Sequence, residues 1–83
     1  MATVEIYSTP YCPYCIRAKM LLDSKGTQYQ ELDISGNMQM RQEMIERSNR
    51  HTVPQIFINN NSIGGYDELY ELNNDNKLDI LLG

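Results

Sequence analysis

A Cys-x-x-Cys motif, Cys12-Pro13-Tyr14-Cys15, lies between a short apolar segment and a helical one, and it constrains the fold of this chain most. Pro13 suits the first position of a helix, where its missing N–H costs nothing, so Cys12 falls at the N-cap. The N–H groups of Tyr14 and Cys15, together with the positive end of the helix dipole, then favour a thiolate at Cys12. Cys15 follows one turn later on the same face, at a spacing that suits a disulfide. The motif predicts a strand–loop–helix unit carrying two thiols for disulfide exchange.

The cysteine pair has two other interpretations. A structural zinc site needs four ligands, and the chain offers two cysteines and one histidine, so one protomer closes such a site only with carboxylates. Two buried structural cysteines are the second interpretation, but Pro13 at the helix start indicates a specific backbone geometry. A Cys-x-x-Cys near a βαβ pattern is typical of a thioredoxin-like redox site, and we favour that interpretation.

Length and charge narrow the class of protein. The 83 residues predict a single domain, 1–83, with one modest core. The first residues show neither a basic start nor an apolar run, and no stretch reaches the roughly 18 apolar residues of a membrane span, so we expect a cytoplasmic protein. A lone cysteine pair is more often catalytic than structural in that compartment. The net charge of −4 speaks against nucleic acid as a partner.

Hydrophobic periodicity predicts the element order β-α-β-α-β-β-α. The predicted strands cover 3–7, 28–34, 55–59 and 62–64. The predicted helices cover 13–25, 38–47 and a segment that begins at Tyr66 or Asp67, and a last apolar turn covers 78–82. Because a helix joins the first two strands, they are expected to be parallel with a right-handed crossover. The last two strands form a hairpin, so the sequence predicts an α/β protein with a four-stranded mixed sheet and helices on both faces.

Capping residues set the predicted boundaries. Gly26 ends the first helix, and Asn37 is an N-cap for the second. Asn49 ends that helix in the left-handed conformation, and Asn60-Asn61 form the hairpin turn.

Four segments together resemble the glutaredoxins, in particular the small bacterial members with two active-site thiols, over essentially the whole chain. The segments are Cys12-Pro13-Tyr14-Cys15, then Ala18-Lys19 with Leu21-Leu22, then 52–58, and last 63–65 with Asp67, Leu69 and Tyr70. The resemblance implies a thioredoxin-like fold with strand order 2-1-3-4, flanked by three helices and a short C-terminal one. It also implies a cis bond between Val53 and Pro54, although only about 5–6% of X–Pro bonds are cis.

The resemblance further implies a glutathione site around Cys12. Tyr14, Thr52, Val53 and Pro54 are expected to surround the sulfur, with the Val53 backbone pairing with the cysteinyl part of glutathione. Gly65, Tyr66 and Asp67 are expected to receive the γ-glutamyl end, where glycine lets the backbone approach a ligand and the helix start attracts a carboxylate.

Arg41 is expected to meet the glycyl carboxylate of glutathione. Many glutaredoxins carry Lys three residues before the first active-site Cys, whereas this chain has Thr9. Arg41, assisted by Arg17 or Lys19, is therefore left to hold that carboxylate.

The function implied is that of a glutathione-dependent thiol–disulfide oxidoreductase. Cys12 alone reduces glutathione mixed disulfides, and Cys12 with Cys15 reduces protein disulfides, with ribonucleotide reductase as one client to consider. We expect a monomer without metal. Two alternatives are a carrier dimer that binds a [2Fe–2S] cluster through Cys12 and glutathione, and a redoxin reduced directly by thioredoxin reductase.

The remaining polar and sulfur-containing residues receive structural interpretations. His51 is expected to be a solvated loop residue, and Met38, Met40 and Met44 to fill the core. The carboxylates of the last third, apart from Asp67, are interpreted as a solvated face: Glu68, Glu71, Asp75 and Asp79.

Overall fold

A computed structural model describes residues 2–83, in which strands and helices follow the predicted order. The strands are β1 (Val4–Ser8), β2 (Gln30–Asp33), β3 (Gln55–Ile58) and β4 (Asn61–Gly64). The helices are α1 (Pro13–Ser24), α2 (Met38–Ser48), α3 (Tyr66–Asn74) and α4 (Leu78–Leu82). Most boundaries fall within one residue of prediction; β2 is shorter, because 28–29 and Ile34 lie outside the paired segment.

The four strands form one mixed sheet in the order β2-β1-β3-β4, as predicted. Strands β1 and β2 pair in parallel, whereas β3 pairs antiparallel with both β1 and β4. Helix α1 provides the crossover between the parallel strands. This arrangement is the thioredoxin-like fold, and it places the end of β1, and hence the loop to α1, beside the start of β3.

Two hydrophobic clusters lie on the two faces of the sheet because strand residues alternate between faces. Val4 and Ile6 of β1 pack with Ala18 and Leu22 of α1, and Leu69 and Leu78 belong to the same cluster. Tyr7 points the other way and packs with Met44 of α2, together with Ile34 and Phe57. The sheet is thereby covered on both faces, and its β2 edge keeps mostly exposed side chains.

The capping residues lie where predicted, including Gly26, which follows the last turn of α1 at φ 66°, and the hairpin turn alone is shifted. The Met40 N–H donates to Asn37 Oδ1 at 2.9 Å, and Asn49 ends α2 with φ 59°. The hairpin turn lies at Asn59-Asn60, both at positive φ, rather than at Asn60-Asn61. Two consecutive left-handed residues match the twist of a tight hairpin, which leaves Asn61 free to begin β4.

The methionines of α2 do not all pack inward. Met44 is fully buried and Met40 is half-buried, but Met38 is 85% exposed, so its predicted core position is wrong. Met38 is the first helical residue, and the face that meets the sheet begins only with Met40. Among residues 2–83, no helix combines the length and hydropathy that crossing a membrane requires.

Candidate active site

Cys12 is the N-cap of α1, and its sulfur lies within hydrogen-bond distance of two backbone groups. Its extended backbone (φ −100°, ψ 112°) turns the chain from the loop into the helix, and Pro13 takes the first helical position. Cys12 Sγ accepts a hydrogen bond from the Cys15 N–H at 3.2 Å and donates one to the Val53 carbonyl oxygen at 3.7 Å. The thiol is partly accessible to solvent. A sulfur with an N–H donor at a helix N-terminus and an open side is suited to nucleophilic attack.

Cys15 has the opposite character, since it is fully buried beneath the first turn of α1. Burial, followed by the hydrogen bond with Cys12, raises the pKa of the Cys15 thiol from 9.0 to about 12. A backbone hydrogen bond from Thr9 and the positive charge of Lys19 lower the Cys15 pKa, but by less than these two causes raise it. Both cysteines are reduced, and only Cys12 is accessible for attack on an external disulfide.

Alkylation of the reduced, folded protein at pH 8 is expected to label Cys12 and spare Cys15. The rise in the Cys15 pKa from 9.0 to about 12 lowers its thiolate fraction at this pH about a thousandfold, and the thiolate is the form that reacts. Iodoacetamide labelling followed by tandem mass spectrometry assigns the label, and labelling in guanidinium provides the control in which both cysteines react. Equal alkylation rates at the two cysteines in the folded protein would contradict the expected difference in reactivity between Cys12 and Cys15.

A groove of about 310 Å³ opens beside the motif. One wall comes from the segment before β3, where the Val53–Pro54 bond is cis, as the resemblance implied. The groove residues are Tyr14, Arg50, Thr52, Val53, Pro54, Gly65, Tyr66, Asp67 and Glu68. A larger depression of about 710 Å³ lies between the start of β1 and the loop 25–30, and no residue of the Cys12–Cys15 motif lines it. The groove is lined by Tyr14 of that motif and by Val53, whose carbonyl oxygen lies 3.7 Å from Cys12 Sγ. The groove is therefore the cavity that chemistry at Cys12 can use.

The start of α3 is organised by Glu68, a role that the sequence interpretation missed. Glu68 Oε1 accepts hydrogen bonds from the Gly65 N–H and from Arg50 Nη1, both at 2.7 Å. These two donors, the Gly65 N–H first, lower the pKa of the Glu68 carboxyl. Gly64 stands at φ +113°, and an added Cβ would lie 2.5 Å from Glu68 Oε1. A Glu at the third helical position after a glycine N-cap is the signal that could have found this carboxylate.

Aromatic rings form the rim of the groove. The Tyr14 ring is 6.3 Å from that of Tyr66, which is 5.8 Å from that of Tyr70. Arg17 lies over the Tyr14 ring at 5.4 Å, so this cation is near the rim but does not line the groove. The predicted residues Tyr14, Tyr66 and Asp67 thus meet at one edge of the groove.

Arg41 lies outside the groove. It lines a separate depression of about 200 Å³ together with Thr9, and its Nη2 donates to the His51 carbonyl oxygen at 3.2 Å. It therefore contacts the 49–54 loop, and four residues of this loop line the groove: Arg50, Thr52, Val53 and Pro54. The His51 side chain is exposed, as predicted. Residues 2–83 hold no group of three His, Cys, Asp or Glu side chains arranged for a metal ion.

A thioredoxin-like sheet with two thiols at the first turn of α1, facing a cis-proline segment, defines the class of thiol–disulfide oxidoreductases. The glutaredoxin family model matches residues 4–63. Glutaredoxin 3 of Escherichia coli (strain K12) is 60% identical over 82 residues, which cover 99% of both chains. A glutaredoxin of Pseudomonas aeruginosa is 46% identical, covering 99% of this chain and 98% of the relative.

Solved structures agree with these matches. The buckwheat glutaredoxin–glutathione complex has a TM-score of 0.90 at 31% identity, covering 98% of this chain and 76% of that one. The solution structure of glutaredoxin from Brucella melitensis has a TM-score of 0.87 at 52% identity, covering 99% and 89%. This chain belongs to the glutaredoxin family, and it is a thiol–disulfide oxidoreductase.

Proposed function

We propose that this oxidoreductase takes its electrons from glutathione. The observation that carries the proposal is the groove beside Cys12, where the Val53 backbone, the start of α3 and the Asp67 carboxylate converge. Glutathione has a cysteinyl thiol, two carboxylates and one ammonium, so it needs matched groups at both ends. A similar fold in buckwheat glutaredoxin was solved in complex with glutathione, which supports the same ligand here.

Each part of glutathione has a partner among the predicted residues. The cysteinyl backbone pairs with Val53, whose carbonyl oxygen already lies 3.7 Å from Cys12 Sγ, while Tyr14, Thr52 and Pro54 enclose it. The γ-glutamyl carboxylate meets the first N–H groups of α3, and its ammonium meets Asp67. Arg41 lies outside the groove and contacts the 49–54 loop through the His51 carbonyl oxygen, and it is the proposed partner of a glycyl carboxylate that extends past this loop.

In the route that needs one thiol, the Cys12 thiolate attacks the glutathione sulfur of a mixed disulfide. A bond forms between the two sulfurs, and the client thiolate leaves and takes up a proton. A second glutathione thiolate then attacks the sulfur of the bound glutathione, which regenerates the Cys12 thiolate and releases glutathione disulfide.

In the route that needs two thiols, Cys12 attacks a protein disulfide and Cys15 resolves the mixed disulfide that results. Cys15 loses its proton, bonds to Cys12 Sγ and expels the second client thiolate. Two glutathione molecules reduce the Cys12–Cys15 disulfide and leave as glutathione disulfide. Protein disulfides, including that of ribonucleotide reductase, are the proposed clients.

One assay tests the electron source. Turnover of a glutathionylated peptide is measured with glutathione and glutathione reductase, and separately with thioredoxin reductase. We expect turnover with the first pair alone. Equal or faster turnover with thioredoxin reductase would favour a redoxin without a glutathione site.

The cytoplasmic location predicted from the sequence stays a prediction. Fractionation of cells, followed by detection of the chain with an antibody, tests it.

Asp67→Ala and Arg41→Ala are each expected to raise the apparent KM for glutathione about 10–100-fold, because a hydrogen bond to a charged group typically contributes about 1.5–3 kcal/mol. Steady-state kinetics at varied glutathione provide the measurement. Asp75→Ala is the matched control, since it removes an exposed carboxylate from the far end of α3. Unchanged KM values in both variants would contradict both proposed contacts, that of Asp67 with the γ-glutamyl end and that of Arg41 with the glycyl end. A raised KM in Asp67→Ala alone would contradict only the contact of Arg41 with the glycyl carboxylate.

A further inference from the structure

Lys19 is more constrained than a typical surface lysine. It lies one turn after Cys15 on α1, a spacing that brings two side chains to the same helix face. Its Nζ forms an ion pair with Glu31 of β2, and its side chain is only 23% exposed. Glu31 Oε2 also accepts a hydrogen bond at 3.0 Å from the hydroxyl of Ser8, which is fully buried at the end of β1. Lys19, Glu31 and Ser8 thus link α1 to β2 and β1, one helical turn after the buried thiol.

The state of Cys12 influences the pKa of Cys15. In the reduced protein, burial is the main cause that raises the Cys15 pKa, and the hydrogen bond and the charge of Cys12 add to it. Once the Cys12 sulfur is part of a mixed disulfide, it is neutral and neither influence remains. Burial still opposes the Cys15 thiolate, and the Thr9 backbone and the Lys19 ammonium then remain to stabilise it.

We propose that Lys19, held by Glu31 and Ser8, is a positioning residue for the resolving step, in which its ammonium stabilises the thiolate of Cys15 as that thiolate attacks the mixed disulfide on Cys12. The inference rests on the proposed two-thiol route. It gives Lys19 no part in the first attack by Cys12, which lies outside this cluster.

The surroundings of Cys15 leave Lys19 as the cation that acts on it. On α1 the neighbouring groups are Cys12 and Lys19, and the loop before α1 contributes the Thr9 backbone. On β1, the neutral Ser8 hydroxyl hydrogen-bonds to Glu31, the partner of Lys19. The β2 side contributes groups that interact with Lys19: Tyr29, Glu31 and Asp33.

The resolving step balances without another reactant. Cys15 loses one proton, which the outgoing thiolate balances by taking one up, and attacks Cys12 Sγ, so the Cys12–Cys15 bond forms as the bond to the outgoing sulfur breaks. The Cys15 sulfur is oxidised, and the outgoing sulfur is reduced to a thiolate that takes up a proton. Glu31 is not the proton acceptor, because the hydrogen bond from Lys19 lowers the pKa of its carboxyl.

The test follows the two steps separately in a single turnover with the full chain. Reduced protein is mixed with bis(2-hydroxyethyl) disulfide, whose uncharged halves avoid any effect through the glutathione site. Acid quenching and intact mass spectrometry then measure the mixed disulfide and the internal disulfide from pH 5 to 10. The variants are Lys19→Met and Lys19→Gln, with Lys19→Arg as the conservative variant. Lys25→Met is the matched control, because Lys25 pairs with Asp79 just beyond the C-terminal end of the same helix.

We expect Lys19→Met and Lys19→Gln to slow resolution about tenfold at pH 7 and to move its pH profile up by about one unit, as loss of a nearby opposite charge does. Lys19→Arg restores the profile, Lys25→Met leaves it unchanged, and formation of the mixed disulfide keeps its rate in all variants. Superimposable resolution profiles, an equal shift in Lys25→Met or an equal slowing of the first step would each overturn the proposal. The disulfide used in this test contains no glutathione, so the test is independent of the proposed reductant. If Lys19 variants slow resolution as expected but the protein does not turn over with glutathione, only the proposal that glutathione is the reductant is rejected.

Discussion

Cys12→Ser is expected to abolish thiol–disulfide exchange, whereas Cys15→Ser is expected to retain reduction of glutathione mixed disulfides. The reason is the unequal position of the two sulfurs. Cys12 is accessible and caps the first turn of α1, while Cys15 is fully buried and can meet only the Cys12 sulfur. Reduction of a mixed disulfide needs one attack, and reduction of a protein disulfide needs the second thiol as well.

Two substrates compared in the same variants provide the measurement. A glutathionylated peptide reports the one-thiol route, and a disulfide-bonded protein such as insulin reports the two-thiol route. Cys15→Ser should lose the second activity by at least about tenfold while keeping the first, because a serine hydroxyl cannot attack the mixed disulfide on Cys12; a tenfold fall corresponds to about 1.4 kcal/mol of activation free energy. Loss of both activities in Cys15→Ser would show that the roles of the two cysteines are assigned wrongly.

Gly64→Ala is expected to lower the free energy of unfolding by about 2–4 kcal/mol, which corresponds to a fall in Tm of roughly 10–30 °C for a domain of this size. Gly64 stands at φ +113°, where a side chain is strained, and an added Cβ would come 2.5 Å from Glu68 Oε1 and 3.0 Å from Glu68 Cγ. Displacing Glu68 breaks its hydrogen bonds with Gly65 and Arg50. The start of α3 then shifts, so glutathione use should fall as well. Thermal unfolding followed by circular dichroism, and glutathione kinetics below the transition, measure the two effects.

Gly36→Ala is the matched control for backbone strain. Gly36 also has positive φ, +68°, but nothing lies within 4 Å of an added Cβ. This variant should cost about 1–2 kcal/mol from the left-handed conformation alone and should leave the KM for glutathione unchanged. In the double variant Gly64→Ala with Glu68→Ala, the cost should be smaller than the sum of the single costs, because the shorter side chain removes the clash. Additive costs would show that Glu68 is not what Gly64 accommodates.

The elements and the thiol pair were predictable because their signals are local. Pro13 after Cys12, Asn37 before α2 and Asn49 after it act within one helical turn, so a few neighbouring residues suffice to identify each boundary. The hairpin turn shifted by one residue because three consecutive asparagines all tolerate positive φ, and the pairing of β3 with β4 selected Asn59-Asn60. The strand order and the cis bond before Pro54 came from the family resemblance rather than from periodicity.

The sequence by itself determined the two-thiol motif at a helix start, the alternation of elements and the family. Only the tertiary structure decided which distant charges surround the motif. Glu68 meets Arg50 across 18 residues and Lys19 meets Glu31 across 12, while Arg41 lies beside Thr9 rather than in the groove. Periodicity assigns a residue to a face of a helix or strand, but not to a partner on another element. That choice depends on strand register and on how the helices pack over the sheet, which long-range burial of the two hydrophobic clusters determines.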